Sequence, residues 1–442
     1  MAERFSEEFE RATYRKVTRR LIPFLFLCYI LNYFDRVNIG FAKLQMQQDL
    51  AFSDTVYGLG AGIFFIGYFI FEVPSNVLMQ RVGARIWIAR IMISWGLVAA
   101  ATMFTNSATT LYVLRFLLGA AEAGFFPAII LYLTFWYTRA HRVRMTAAFM
   151  TAIALAGVLG GPVNGWIMQV MGGIGGLANW QWLFLLEGVP SVLVGALALA
   201  LLDNGPGTAK WLSDDERRLV LQRLEEEQRL KEREGHTSKT FGDALRSPNV
   251  WLLCAAYFAI IMGNSGLAFW LPQIIKDTLT PVPWKIGLIS AIPWGVAAVA
   301  MVVNGNHSDR TGERCWHTAL PAIIGGAAFL VSGVPGVSGV TGIIALTVAA
   351  AGVLSSLSAF WSLPTGILSG TAAAVGIAWI NSVGNLAGYV SPFLIGKIKD
   401  ATGDMTWALM MLAISLVIGG LLAVYITKVG KVRIGNVAPV AR

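Results

Sequence analysis

The sequence is poor in charged residues and nearly free of cysteine. Only 13% of its 442 residues are Asp, Glu, Lys or Arg, while 56% are hydrophobic. This composition excludes a water-soluble globular protein and favours an all-α membrane protein with many spans. The three cysteines, Cys28, Cys254 and Cys315, lie in or beside apolar runs, which argues against a disulfide framework and a cysteine metal cluster.

Further absences narrow the function. The four histidines lie in or near loops, so no metal site is indicated. No phosphate-binding loop of the Walker type occurs, so ATP is not the expected energy source. The first twenty residues are polar and contain no cleavable signal ahead of the first apolar run. We therefore expect neither an enzyme nor a cofactor.

What the sequence does contain is twelve apolar runs, each long enough to cross a bilayer as a helix. The predicted spans of the first set are about 21–42, 56–80, 86–104, 110–137, 145–170 and 180–202. Those of the second set are about 250–275, 286–304, 317–334, 340–366, 370–396 and 405–428. The predicted domains are an N-terminal segment (1–20), a six-helix bundle (21–202), a linker (203–248), a second six-helix bundle (249–428) and a tail (429–442).

Basic residues concentrate in the short loops on one side of the predicted spans. A formal charge of +9 could indicate nucleic-acid binding. The loop positions favour membrane orientation instead, because basic loops stay in the cytoplasm. We therefore predict a bacterial inner-membrane protein whose termini and linker are cytoplasmic. Lys397 and Lys399 fall on the other side and count against this orientation.

The linker begins with a helix start signal. Ser213 and Glu216 have the spacing of a capping box, in which each side chain bonds the backbone N–H of the other residue. A charged helix to about residue 234, with acid–base pairs along its surface, is the prediction.

The two sets of spans resemble each other. Arg81, Gly83 and Arg85 recur 229 residues later in the turn 305–314, with Arg and Gly at the same relative places. Gly161-Pro162 in span 5 is matched 230 residues later by Ser391-Pro392 in span 11. Two similar halves with a site between them are typical of secondary transporters.

The turn Gly305-Asn306-His307-Ser308-Asp309-Arg310-Thr311-Gly312-Glu313-Arg314 resembles the signature loop of the major facilitator superfamily. The first-half copy departs from it, with Asn76 in place of the usual glycine and Gln80 in place of the usual acid. That departure, with Asn32-Tyr33-Phe34-Asp35-Arg36 and Ala209-Lys210-Trp211-Leu212, resembles the anion:cation symporter family within the superfamily. The resemblance covers nearly the whole chain. It implies two pseudo-symmetric six-helix bundles and transport of a small organic anion, as in tartrate, phthalate and 4-hydroxyphenylacetate transporters.

Asp35 and Arg36 lie near the middle of span 1. Placing charge at that depth is costly, so such residues usually mark a substrate or ion path. Neighbours in a helix point about 100° apart, so each can contact a different partner. The alternative is a buried ion pair that only holds two helices together.

Span 4 supplies candidate partners. Arg115 and Glu122 are seven residues apart, nearly two helical turns, and so share one face. The small residues around Glu122 allow close approach of another helix. Two acids and two arginines form a neutral site that becomes negative when a carboxylate binds, and protonation of one acid would offset that charge.

The resemblance implies roles for these residues. Asp35 and Glu122 match the acids assigned to proton coupling, and Arg36 matches the arginine that binds the substrate carboxylate. We place Arg115 as a charge partner of the acids, with a purely structural counter-ion as the alternative.

Polar and aromatic residues complete the predicted pocket. Relatives that transport sugar acids have pocket residues resembling Tyr33, Tyr68, Ser358, Trp361 and Asn381, which we predict to bind substrate. The alternatives are packing or interface anchoring for the aromatic residues and an interhelical hydrogen bond for Asn381. Further candidates are Asn264 and Asn385.

The sequence therefore predicts a secondary active transporter that couples protons to uptake of a small carboxylate by alternating access. Its partners would be the carboxylate, protons and the lipid bilayer, without nucleic acid, and the protein would be a monomer. Three alternatives stay open: a galactonate-like or glucarate-like sugar-acid symporter, an anion exchanger that uses no protons, and a membrane sensor or channel.

Overall fold

The N-terminal half is a bundle of six spans built only from helices. The computed structural model describes residues 5–233, 247–367 and 371–429. Span 1 consists of two helices, and span 4 is likewise divided in two. The helices of the six spans in order are Glu7–Val37 with Ile39–Asp49, Asp54–Val82, Ala84–Ala101, Ala108–Glu122 with Phe125–Thr134, Arg139–Val170, and Asn179–Leu201.

The C-terminal half repeats this order. Its helices are Pro248–Thr278 (span 7), Pro283–Thr311 (span 8), Cys315–Ser332 (span 9), Gly339–Phe360 with Ser362–Ile367 (span 10), Ala387–Thr402 preceded by Thr371–Asn385 (span 11) and Thr406–Val429 (span 12). Eleven segments of the described residues are long and apolar enough to cross a membrane. Span 11 is not among them, because a turn at Leu386 divides it into two shorter helices.

Span 4 is not the continuous helix that the sequence predicts. Its first helix ends at Glu122, and its second begins after Gly124, whose φ of +85° is left-handed. A residue with a Cβ rarely adopts this conformation, which glycine adopts at little cost. Spans 1 and 10 break at Asn38 and Trp361. Interrupted helices at membrane depth are typical of transporter binding sites, where the freed backbone lines a cavity.

Small residues bring spans 2 and 4 into close contact. A Cβ at Gly119 would collide with the carbonyl oxygen of Phe64, and one at Gly67 would collide with that of Phe116. The small residues near Glu122 therefore allow the close approach of span 2, while span 1 reaches Glu122 through the side chain of Arg36. This approach places Phe64 and Tyr68 beside Glu122.

The halves meet along two pseudo-equivalent seams. Span 2 packs on span 11, where Gly58 lies against the backbone of Pro392. Span 5 packs on span 8, where Gly161 and Gly287 lie against each other's backbone. The Gly-Pro and Ser-Pro pairs that revealed the repeat thus lie in corresponding seams.

The linker helix, Asp214–Arg233, is anchored to the N-terminal half. The capping box is confirmed: Ser213 N donates to Glu216 Oε2 at 2.8 Å, and Glu216 N donates to Ser213 Oγ at 3.2 Å. Lys16 pairs with Glu216 at 2.6 Å. The predicted end of the helix at residue 234 and most of the tail lie outside the described residues. We call the end of the molecule that carries this helix the linker face, and the opposite end the far face.

The halves are bound together at the far face. Lys43, which the sequence placed in a loop, is buried in the second helix of span 1, and its ammonium lies 3.7 Å from the centre of the Trp270 ring of the other half. Tyr57 donates its hydroxyl to Phe269 O at 2.7 Å, also across the halves. The far face is therefore closed in this structure.

Candidate functional site

Arg36 and Glu122 form an ion pair inside the N-terminal half. Arg36 Nε donates to Glu122 Oε1 at 3.1 Å, and its Nη2 donates to the same oxygen. The Glu122 side chain is fully buried, whereas the Arg36 side chain is 24% exposed. Arg36 thus binds Glu122 while part of its surface remains accessible to another ligand.

Aromatic rings surround this guanidinium. Its carbon lies 5.3 Å from the ring centre of Phe64, 5.4 Å from that of Tyr68 and 6.0 Å from that of Phe65. Rings at these distances attract a cation through their negative faces. These rings stabilise the guanidinium without forming hydrogen bonds to it. Its N–H groups can therefore donate to carboxylates.

Asp35 belongs to a separate cluster. Its Oδ2 accepts hydrogen bonds from Trp95 Nε1 at 2.9 Å and Ser191 Oγ at 2.7 Å, while Oδ1 is buried without a partner. Among the described residues, no Lys or Arg pairs with Asp35. The adjacent residues Asp35 and Arg36 therefore contact different partners, as their angle on the helix predicts.

Arg115 is completely buried beside the site. Its Nε donates to Gly60 O at 3.3 Å, and its guanidinium lies 5.2 Å from the Phe64 ring centre. Its two terminal nitrogens have no partner in the described part of the chain. Arg115 forms no direct ion pair there with either predicted acid, since Glu122 is paired with Arg36.

Sequence reasoning missed two buried acids. Glu72 in span 2 accepts a hydrogen bond from Ser382 Oγ of span 11 at 3.4 Å. Glu187 in span 6 is 4% exposed, and Asn164, with its amide nitrogen turned toward the carboxylate, donates to Glu187 Oε1. Both acids interrupt apolar runs, the same signal that singled out Asp35.

These additions change the charge count. The buried Lys43 is paired with Asp54 near the far face. The rest of the N-terminal interior holds two arginines, 36 and 115, and four acids, 35, 72, 122 and 187. If all were ionised, two positive and four negative charges would leave a net charge of −2. Uncompensated buried charge is costly, so full ionisation of all four acids is disfavoured.

The C-terminal half brings aromatic and amide groups toward the same region. Trp294 meets Tyr33 edge-on, with ring centres 6.4 Å apart. Trp361 meets Tyr257 in the same way at 4.8 Å. The three asparagines that the sequence singled out in spans 7 and 11 are partly buried, and their side chains form no hydrogen bond within the described ranges: Asn264, Asn381 and Asn385. Ser358 is exposed and donates only to Ser355 O, at 3.0 Å.

No group of three or more His, Cys, Asp or Glu residues that could hold a metal ion occurs in 5–233, 247–367 or 371–429.

Comparison with known proteins agrees with this architecture. The Major Facilitator Superfamily profile matches residues 25–392. The chain is 45% identical over 98% of its length to an Agrobacterium vitis protein named "Putative tartrate transporter", covering 99% of that protein. It is 46% identical over 94% of its length to "Putative metabolite transport protein NicT" of Pseudomonas putida, covering 94% of that protein. A crystal structure of a D-xylose-proton symporter superposes with a TM-score of 0.72 at 14% identity, covering 91% of this chain and 96% of the other.

The chain belongs to the Major Facilitator Superfamily. The predicted fold class, two six-helix halves, is confirmed, as is the resemblance to the organic-anion transporters of the superfamily. The protein is a multi-pass membrane transporter and not an enzyme.

Proposed function

We propose that the protein carries a small organic carboxylate into the bacterial cytoplasm together with protons, by alternating access across the inner membrane. The observation that supports this most is the Arg36–Glu122 pair, in which a partly exposed arginine binds a fully buried acid. Coupling would require three events: binding of the anion to Arg36, release of Glu122 from Arg36, and protonation of Glu122.

Arg36 is the proposed anchor for the substrate carboxylate. Its guanidinium can bind a carboxylate through two parallel hydrogen bonds, which makes arginine the preferred residue for such recognition. The surrounding rings of Phe64, Phe65 and Tyr68 exclude water from one side of the group. Attraction between the guanidinium and an anion is stronger where water is excluded.

The substrate and Glu122 then compete for Arg36. Both Nε and Nη2 donate to Glu122 in the present structure, so a bound carboxylate would have to share or replace those bonds. Release would leave Glu122 as an unpaired buried carboxylate. Such a group takes up a proton instead of remaining charged.

The other acids support the same conclusion. Asp35 has no cationic partner among the described residues, and the interior already contains more acids than arginines. An incoming anion adds to this excess negative charge. Asp35 is therefore the second proposed proton carrier, while Arg115 offsets part of the charge without direct pairing.

The substrate class rests on the site and on the relatives. One close relative is named as a tartrate transporter, which favours a small hydroxy acid. The aromatic surroundings of Arg36 also suit a flat aromatic acid such as phthalate. A sugar-acid substrate is the second candidate, favoured by the amides of Asn264 and Asn381 in the opposite half, which have no hydrogen-bond partner among the described residues.

The proton role of Glu122 is tested with Glu122→Gln in proteoliposomes. Glutamine keeps the shape of a protonated glutamate and cannot change charge. We expect the variant to bind substrate and exchange it across the membrane, but to lose accumulation driven by a proton gradient. Glu225→Gln, at a position exposed on the linker helix, is the matched control and should accumulate substrate normally.

Full proton-driven accumulation by Glu122→Gln would remove Glu122 from the mechanism and leave Asp35 as the coupling acid. Loss of both accumulation and exchange in a folded variant would instead indicate a structural ion pair. Exchange in the wild-type protein without any response to a proton gradient would favour the exchanger alternative.

Orientation requires a separate measurement. In a variant lacking the three natural cysteines, Gly207→Cys should resist a membrane-impermeant thiol reagent on intact cells, because the linker is predicted to be cytoplasmic. Ala401→Cys, which is exposed at the far face, should react rapidly. The opposite pattern would overturn the predicted topology.

A further inference from the structure

We propose that Asp400 of the C-terminal half closes the far-face gate by capping the first turn of span 2 in the N-terminal half. Loss of this cap would be a required step when the site opens toward the far face. The inference rests on the alternating access of the proposed function. It is independent of the substrate and of proton coupling.

The hydrogen bonds are those of a helix N-cap supplied from another domain. Asp400 Oδ1 accepts from the backbone N–H of Asp54 at 3.0 Å, and Oδ2 accepts from that of Thr55 at 2.7 Å. The first N–H groups of a helix have no partner within the helix. Ser53, the N-cap of span 2 itself, satisfies only Val56 in this turn, at 3.2 Å. Two of the first three N–H groups thus depend on the opposite half.

The backbone of span 11 is shaped for this contact. Gly396 lies one helical turn before Asp400, and a Cβ at that position would collide with the carbonyl oxygen of Asp54. The absence of a side chain lets spans 2 and 11 approach closely enough for the carboxylate to reach both N–H groups. Its negative charge also favours the positive end of the span 2 helix.

The surrounding charges are arranged so that the halves can separate. Lys43 pairs with Asp54 at 2.5 Å within the N-terminal half. Lys399 pairs with Asp277 at 3.0 Å within the C-terminal half, and only its longer contact with Asp54, at 3.9 Å, crosses the interface. Each lysine therefore keeps a carboxylate partner after opening, and neither is left as an unpaired charge.

Opening would break a small set of contacts that cross the interface. Besides the cap, these include the hydrogen bonds of Tyr57 with Phe269 O and of Lys276 Nζ with Leu44 O, at 2.7 and 2.8 Å. Asp400 accepts two hydrogen bonds with its charged carboxylate, whereas Lys276 donates one from its ammonium and the bond of Tyr57 joins neutral groups. Hydrogen bonds with a charged partner are roughly twice as strong as neutral ones. Asp400 is for this reason the residue whose removal should most directly favour the open state.

The test measures the gate itself and not transport. Spin labels at Gln48→Cys and Ala401→Cys, both exposed at the far face and one in each half, report the separation by double electron–electron resonance in purified protein without substrate. Asp400→Ala should raise the ratio of open to closed molecules about fivefold to tenfold, the size expected for a lost helix N-cap. Asp400→Asn, which retains one acceptor oxygen, should have a smaller effect.

Asp404→Ala is the matched control. Asp404, in the turn directly after span 11, accepts a hydrogen bond from Thr406 N at 2.8 Å, and both of these residues belong to the C-terminal half. Its removal should leave the distance distribution unchanged. An unchanged distribution in Asp400→Ala, or an equal change in Asp404→Ala, would overturn the proposal. A failure of proton coupling in Glu122→Gln experiments would leave this result unaffected, so the two proposals fail separately.

Discussion

The two halves share their helix order and their glycine seams, yet they differ sharply in buried charge. The N-terminal half encloses Arg115, Lys43 and four acids and contains the partly exposed Arg36. The described part of the C-terminal half buries no Asp, Glu, Lys or Arg. Its contributions near the site are aromatic rings and amides, such as Trp361 and Asn381.

This difference indicates a division of labour under the proposed function. The N-terminal half would bind the charged carboxylate and exchange protons. The C-terminal half would contact the rest of the substrate through its shape and through neutral hydrogen bonds. Two copies of a repeat can thus keep the same close helix contacts while their buried side chains differ in charge. We therefore expect substitutions in the N-terminal half to weaken the binding of every carboxylate substrate. Substitutions in the C-terminal half should weaken the binding of particular substrates only.

The largest effect is expected for Arg36→Lys. Lysine keeps the positive charge but loses the two-pronged geometry of the guanidinium. A hydrogen bond to a charged group contributes about 1.5–3 kcal/mol, so substrate binding measured by calorimetry should weaken roughly tenfold to 100-fold.

Arg90→Lys is the matched control for this substitution. Arg90 also lies in a span of the N-terminal half, but its guanidinium is stacked 4.0 Å from the ring centre of Trp87. Its replacement should leave affinity unchanged. Equal affinities of wild type and Arg36→Lys would exclude Arg36 as the anchor and remove the proposed charge asymmetry between the halves.

A smaller and more selective effect is expected for Asn381→Leu. Loss of one neutral hydrogen bond costs about 0.5–1.5 kcal/mol, so affinity should fall roughly twofold to tenfold. The loss should be greater for hydroxylated acids than for the same acids without the hydroxyl, in a competition assay. Proton coupling should persist, because no ionisable group has changed.

Asn306→Leu, at an exposed position in the last part of the span 8 helix, controls for the change in polarity. The division of labour would be contradicted if Asn381→Leu weakened all carboxylates equally or abolished coupling while Arg36→Lys affected only some substrates.

Local patterns in the sequence predicted much of the fold. The capping box of Ser213 and Glu216 formed as expected because its bonds join residues only three apart. The repeat matched Gly161-Pro162 with Ser391-Pro392, and the structure places these two pairs in corresponding contacts between the halves. The predicted bounds of the helices were less accurate. The polar N-terminal residues continue span 1 as a helix from Glu7, and Gly124 interrupts span 4, which was predicted to be continuous.

The site was predicted only in part, for a physical reason. The charges within apolar runs that were recognised are Asp35, Arg36, Arg115 and Glu122. The same criterion also applies to Glu72 and Glu187. Which acid meets which arginine could not be predicted, because pairing depends on how helices distant in sequence are rotated against each other.

Sequence alone therefore determined the membrane class, the two six-span sets and most of the charged residues, since hydropathy, helical period and turn chemistry act over short distances. Tertiary structure decided that Arg36 pairs with Glu122 while its neighbour Asp35 bonds Trp95 and Ser191. It also decided that Asp400 caps a helix that begins 346 residues earlier. Such contacts depend on the positions of whole helices, which are set by close backbone packing at residues such as Gly58, Gly119 and Gly396.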